Sequence, residues 1–163
     1  MPVKPVVLIY DLNNKLVDEV AKELGKTGRY TTINTFNESN ALAAVRQYDR
    51  VFGLLTNKLT CVITGWNEYK KPRDQFVYHL RALERKSPLR QPTPVILITE
   101  DHRADLKQRA LDMQDGGVIA YLHPDSFKTS LISVLDELVD NGDPKALNQR
   151  AMDEFLSDAQ HEE

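Results

Sequence analysis

Apolar residues along this chain follow two alternating rhythms. Val6-Val7-Leu8-Ile9-Tyr10 is apolar at every position, rich in β-branched residues, and ends at Asp11. A short continuous run of this kind predicts a strand covered on both faces, as in a parallel sheet. From Leu12 to Leu24 the spacing changes. Leu16, Val20 and Leu24 recur every four residues with Val17 and Ala21 beside them, which predicts an amphipathic helix ended by Gly25 or Gly28. Tyr30 to Phe36 reads as a second strand, and Asn37 is placed to cap a helix through Ala41, Leu42 and Val45. That helix has no marked end, because Gln47 to Lys58 contains no sharp breaker except Gly53.

The same alternation continues. Thr60 to Thr64 is a third strand closed by Gly65, and Phe76, Leu80 and Leu83 form the apolar face of a third helix. Pro92-Thr93-Pro94 introduces the strand Val95 to Thr99, Arg103 to Met113 is helical, and Gly116-Gly117 turns into the strand Val118 to Leu122. After His123-Pro124, the residues Phe127, Leu131, Val134, Leu135 and Leu138 mark a fifth helix. Five strand–helix units with parallel-type strands predict a doubly wound, five-stranded α/β three-layer sandwich. Asn141-Gly142-Asp143-Pro144 then breaks the chain, dividing a domain of residues 1–140 from an acidic extension, residues 141–163. In the extension, Leu147, Ala151, Met152, Phe155, Leu156 and Ala159 form a helical stripe expected to pack on its own domain or on a second copy.

Composition narrows the function classes. The chain has 163 residues, is 41% hydrophobic and 28% charged, and so is long and apolar enough for one packed domain. No apolar run approaches the ~20 residues of a membrane span. The segment before the first strand is too short for a secretory signal, and the single Cys61 leaves no internal disulfide, so a cytoplasmic protein is expected. Net charge is −3, unevenly spread: Asp143 to Glu163 carries six acids against two basic residues, leaving residues 1–142 near +1. Lys70 to Arg90 concentrates seven basic residues, read first as the solvated face of a helix and second as a docking patch for an acidic partner. Without aromatic interleaving or a groove-reading motif, that stretch does not point to nucleic acid.

In an open parallel sheet, ligands bind beyond the carboxyl ends of the strands. The residues there are Asp11, Gly65, Thr99-Glu100 and His123-Pro124. Four pieces in order carry a resemblance: Ile9-Tyr10-Asp11, Val62-Ile63-Thr64-Gly65-Trp66-Asn67, Pro94 to Thr99, and Ala120-Tyr121-Leu122-His123-Pro124. From about Val3 to Val139 the chain resembles the receiver domain of response regulators, which implies flavodoxin-like topology. The resemblance also implies an acceptor Asp on the third strand, two acids on the first strand holding Mg²⁺, a Thr on the fourth and a Lys on the fifth. Matched in turn, Gly65 stands at the acceptor position and Asp11 alone stands for the two acids. His123 replaces the Lys, and Thr99 is kept, with Tyr121 as the switch-like aromatic residue. The same resemblance implies a cis bond between His123 and Pro124.

No Asp or Glu occurs from Val51 to Asn67, so sliding the third strand supplies no acceptor. One carboxylate makes a poor Mg²⁺ site, so no metal and no cofactor is expected. The resulting reading is a pseudo-receiver: a non-catalytic signalling module that acts by binding protein. Two alternatives stand beside it, a receiver phosphorylated elsewhere, with Glu68 or Asp74 as candidates, and a flavodoxin-like wing or scaffold of a larger enzyme. A His₂Asp metal site from His102, His123 and Asp11 is the weakest option, as nothing in the spacing makes these residues converge. Cys61, inside a strand, reads as a core residue, and Trp66 is placed either to cover the empty pocket or to pack as a partly buried structural residue. Receivers often pair through the fourth helix, fifth strand and fifth helix. A homodimer is expected there, using Lys107, Arg109, Asp112, Tyr121, Lys128 and Asp136, or through the C-terminal helix.

Overall fold

The computed structural model describes residues 4–11, 13–49, 59–65, 74–86 and 92–161. Five strands, β1 (Val6–Tyr10), β2 (Thr31–Thr35), β3 (Leu59–Thr64), β4 (Val95–Ile98) and β5 (Ala120–Leu122), form one parallel sheet in the order β2-β1-β3-β4-β5. Six helices accompany them: α1 (Asn14–Thr27), α2 (Glu38–Asp49), α3 (Asp74–Arg85), α4 (Ala104–Leu111), α5 (Lys128–Asn141) and α6 (Pro144–His161). This is the doubly wound, flavodoxin-like (βα)5 sandwich with an extra C-terminal helix that the alternation predicts.

Because successive strand residues face opposite sides, the continuous apolar runs feed two cores. Leu8, Tyr10, Val62 and Leu97 face one way, under α2, α3 and α4, and are joined by Phe76, Leu80 and Leu106. Val7, Ile9, Cys61, Ile63, Ile96 and Ile98 face the other, under α1 and α5, with Leu16, Val20, Leu131 and Leu135. Cys61 is fully buried in that second core, and burial pushes its thiol up to about 12, so it packs as an apolar residue.

The helix boundaries have local causes. The side chain of Asn13 accepts from the Lys15 and Leu16 amides and caps α1. Gly28, with φ of 65°, ends it, so Gly25 lies inside the helix. Asn37 caps α2, its side chain accepting from the Asn40 amide at 2.8 Å. Gly116 is required by close approach: a Cβ there would lie 2.6 Å from the Ala110 carbonyl oxygen.

Three expectations change. Arg81, read as part of a solvated basic face, is buried. Its guanidinium pairs with Glu84 at 3.0 Å and donates to the carbonyls of Thr93 (2.8 Å) and Gly116 (3.0 Å), tying α3 to the segments entering β4 and β5. The fifth strand is shorter than Val118 to Leu122, beginning at Ala120. The His123-Pro124 bond is trans. The Ser126 amide bonds back to the His123 carbonyl at 3.1 Å. That places Pro124 second in the turn, where a trans proline fits, whereas a cis proline belongs third. The basic residues Lys70, Lys71, Arg73 and Arg90 lie outside the described residues, as do Trp66 and Glu68.

Helix α6 turns back onto the domain. Leu147 is buried in the α1/α5 core, while Ala151, Met152 and Phe155 pack against the opposite one. The buried Asn148 donates from Nδ2 to the carbonyls of Leu111 and Val118, both at 2.7 Å.

Candidate functional site

In the order β2-β1-β3-β4-β5 the direction of winding reverses between β1 and β3, which makes their carboxyl ends the natural site of a ligand. Register pairs Tyr10 with Thr64 and Thr64 with Leu97. Asp11, Gly65, Thr99 and His123 therefore follow the ends of four neighbouring strands along one edge, three strand spacings wide or about 14 Å. All four expected positions lie at this edge.

Their environments differ. Asp11 is buried, and its Oδ1 accepts from the Asn13 amide at 2.8 Å. It thus shapes the turn that delivers Asn13 as the cap of α1. Gly65 is buried directly after β3. Thr99 is buried, its amide donating to the Leu122 carbonyl at 2.9 Å and its hydroxyl accepting from the Asp101 amide at 3.2 Å. His123 is half-buried. Its Nδ1 accepts from the Asp125 amide at 3.1 Å, and the Asp125 carboxylate lies 3.6 Å from the same nitrogen.

Tyr121 lies on the α4 side of the sheet. Its hydroxyl donates to the Asp101 carbonyl, and burial holds its pKa well above the ordinary value. The ring meets His102 edge-on, with centroids 4.9 Å apart, and Lys107 Nζ sits 5.7 Å from its centroid. His102 stands 5.3 Å from His123, ring centre to ring centre. Partial burial, followed by the charges of Lys107 and His123, lowers the pKa of His102.

Two features escape sequence reasoning. Thr64, next to the empty acceptor position, is 2% exposed, and its Oγ1 has no hydrogen-bond partner among the described residues. Nothing in Ile63-Thr64-Gly65 distinguishes it from any strand-ending Thr. The second is the contact of Lys107 with Phe155 of α6, whose ring centre lies 5.9 Å from the ammonium that also stands 5.7 Å from Tyr121. Only the return of α6 creates it.

The His₂Asp metal site is not formed: Asp11 and His123 stand at opposite ends of the edge, and no group of three metal-ligating side chains occurs among the described residues. The Mg²⁺ site implied by the resemblance does not fit either. Among the described residues at the β1 and β3 ends there is one carboxylate, with Oδ1 engaged by a backbone amide, and a glycine opposite.

Solved receiver domains share this fold. The chain is similar to a response-regulator receiver domain from Francisella, with 19% identity and a TM-score of 0.64 over 86% of this chain and 100% of that one. It is similar to a mutant receiver domain of the histidine kinase CKI1 from Arabidopsis thaliana, at 18% identity and TM-score 0.66 over 83% and 90% of the two chains. It is also similar to the receiver domain of an HD domain-containing protein from Pseudomonas fluorescens, at 15% identity and TM-score 0.62 over 98% and 95%. The chain has the receiver fold. No family model matches it, and no curated protein matches it. No helix among the described residues is long and apolar enough to cross a membrane.

Proposed function

We propose that this chain is a pseudo-receiver: a signalling module that keeps the receiver fold, accepts no phosphoryl group in the usual pocket, and acts by binding protein. One observation carries the reading. Gly65 occupies the end of β3, on the strand next to the Asp11-bearing β1, and offers no side chain to phosphorylate. Around it, Asp11 is engaged in the turn before α1, and the imidazole of His123 stands where the resemblance implies a lysine ammonium. The nucleophile, the metal-binding charge and the fixed positive charge are reduced together, which removes the electrostatic parts of phosphoryl transfer.

The partner class follows from the fold analogy. A homodimer through α4, β5 and α5 would compete with α6, which already lies against α4 and β5. Asp136, expected on that face, instead pairs with Arg29 at 2.9 Å and accepts from the Tyr30 hydroxyl at 2.7 Å, on the segment entering β2 at the other edge of the sheet. The reading therefore favours a separate protein partner over a standing dimer.

Incubation with acetyl phosphate and Mg²⁺, followed by intact-mass measurement, tests the proposal. No gain of one phosphoryl group is expected. A stoichiometric adduct, mapped by peptide digestion to Glu68, Asp74 or elsewhere, overturns it and favours the atypical receiver.

A further inference from the structure

The joint between α5 and α6 is built from two complete helix ends. Gly142, with φ of 62°, closes α5 by donating its amide to the Leu138 carbonyl at 2.8 Å. Asp143 opens α6: its side chain accepts from the Ala146 amide at 3.2 Å and its carbonyl from the Leu147 amide at 3.3 Å. Pro144 takes the first helical position, where its missing N–H has no consequence. Neither end depends on the other helix, so the Gly142-Asp143 link can rotate without breaking a backbone bond of either helix.

The seat of α6 is equally distinct. One stripe faces the domain, namely Leu147, Asn148, Ala151, Met152 and Phe155. Asn148 and Phe155 are seven residues apart, two turns of one helix face. The Asn148 amide satisfies the Leu111 carbonyl, one of the C-terminal carbonyls that α4 cannot pair internally. Phe155 sits over the Lys107 ammonium at 5.9 Å. Outside the stripe, Gln149, Asp153, Glu154 and Asp158 are exposed, and Arg150 is held to Glu137 of α5 by an exposed pair of 2.8 Å. Such pairs stabilise little.

We propose that α6 is a hinged cover over the α4–β5 face, and that this face takes an amphipathic helix carrying a carboxamide and, seven residues on, an aromatic ring. In the closed chain α6 is that helix. A partner presenting the same stripe replaces it when α6 swings out at Gly142, and the Leu111 and Val118 carbonyls and the Lys107 ammonium are the groups it must meet. The inference rests on the reading of the chain as a protein-binding module. The short joint holds α6 near its seat at an effective concentration in the millimolar range, so the closed state resists a free helix.

Hydrogen exchange and peptide binding on the full chain test this. In the unaltered protein, α6 amides should exchange together and at least tenfold faster than those of β1, β3 and β4. Asn148→Ala with Phe155→Ala should quicken α6 exchange again while leaving the sheet unchanged. A fluorescent peptide of residues 143–161 should bind that variant at least tenfold more tightly than the unaltered chain, and a peptide carrying the same two substitutions should bind neither. Exchange of α6 in step with the sheet, loss of sheet protection in both the double variant and Phe155→Ala alone, or no peptide binding to the loosened chain overturns the proposal. The exchange arm needs no partner and no phosphate. A hinged α6 in a chain that does accept phosphate, and a rigid α6 in one that does not, are therefore separate outcomes.

Discussion

The two ends of the sheet are organised on opposite principles. At the amino end, Arg81 and Glu84 are both buried, and their charges are matched. Arg81 satisfies the carbonyls of Thr93 and Gly116, while Glu84 accepts from the Thr93 amide at 3.1 Å. At the carboxyl end, Thr64 buries a hydroxyl with no partner among the described residues, and two imidazoles face each other across 5.3 Å. The amino end is closed around its polar groups and the carboxyl end is not. The carboxyl end is also where receiver-fold chemistry would sit. Buried charge is matched where it fastens the scaffold, and a buried hydroxyl is left unmatched where the proposed pseudo-receiver has no reaction to serve.

The sharpest way to break the comparison is at the fastening. Arg81→Met leaves Glu84 as a buried, unmatched carboxylate and should cost about 3–5 kcal/mol in urea unfolding. Adding Glu84→Gln should return part of the loss, because no buried charge then remains. A loss of less than about 1 kcal/mol for the single change would show that the amino end is no more tightly held than a surface pair. Gly116→Ala acts on the same end by crowding. The new methyl would meet the Ala110 backbone at 2.6 Å, and a loss of about 1–3 kcal/mol is expected.

The carboxyl end should respond with the opposite sign. Thr64→Val replaces an unpartnered buried hydroxyl with a methyl of the same shape, and should be neutral or stabilising by up to about 1 kcal/mol. A clear loss in the same urea titration would mean that the hydroxyl has a structural task. The smallest effect is on pH. In the unfolded chain His102 takes up its proton near the ordinary value of 6.5, whereas in the folded chain its pKa is lowered. Its contribution is therefore complete above that value and fades as pH falls below it, because the unfolded state binds more protons. The ring is exposed, so solvent screening keeps the effect small. His102→Asn should flatten this part of the stability–pH curve, and an unchanged curve would assign the slope to other groups.

Legibility in the sequence divides along the same line. The carboxyl edge could be read because parallel strands announce their ends: Tyr10-Asp11, Thr64-Gly65 and Thr99 each follow an apolar run, and the topology then places them side by side. Their identities alone carry the proposal that the acceptor is missing. The amino-end fastening could not be read. Arg81 and Glu84 stand three apart on a helix, as countless exposed pairs do, and the carbonyls that bury them come from Thr93 and Gly116, supplied by tertiary contact. The trans His123-Pro124 bond was hidden for a related reason. An X-Pro dipeptide permits either isomer, and the turn to Ser126 selects one. Helix α6 lay between these cases. Its stripe was visible, but only folding decides whether the stripe meets its own domain.

Helix α6 also decides how sheets of this chain can meet. An open sheet has two edge strands, and unbounded stacking needs both. In β5, Ala120 and Tyr121 are buried with α6 against the strand, whereas Thr31 and Asn34 of β2 are exposed. A contact made strand to strand is thus confined to β2, which can pair once with the β2 of another molecule about a two-fold axis. While α6 is seated, such pairing closes at two molecules, a limit on polymer growth set by a helix outside the five strand–helix units and lifted when that helix swings out.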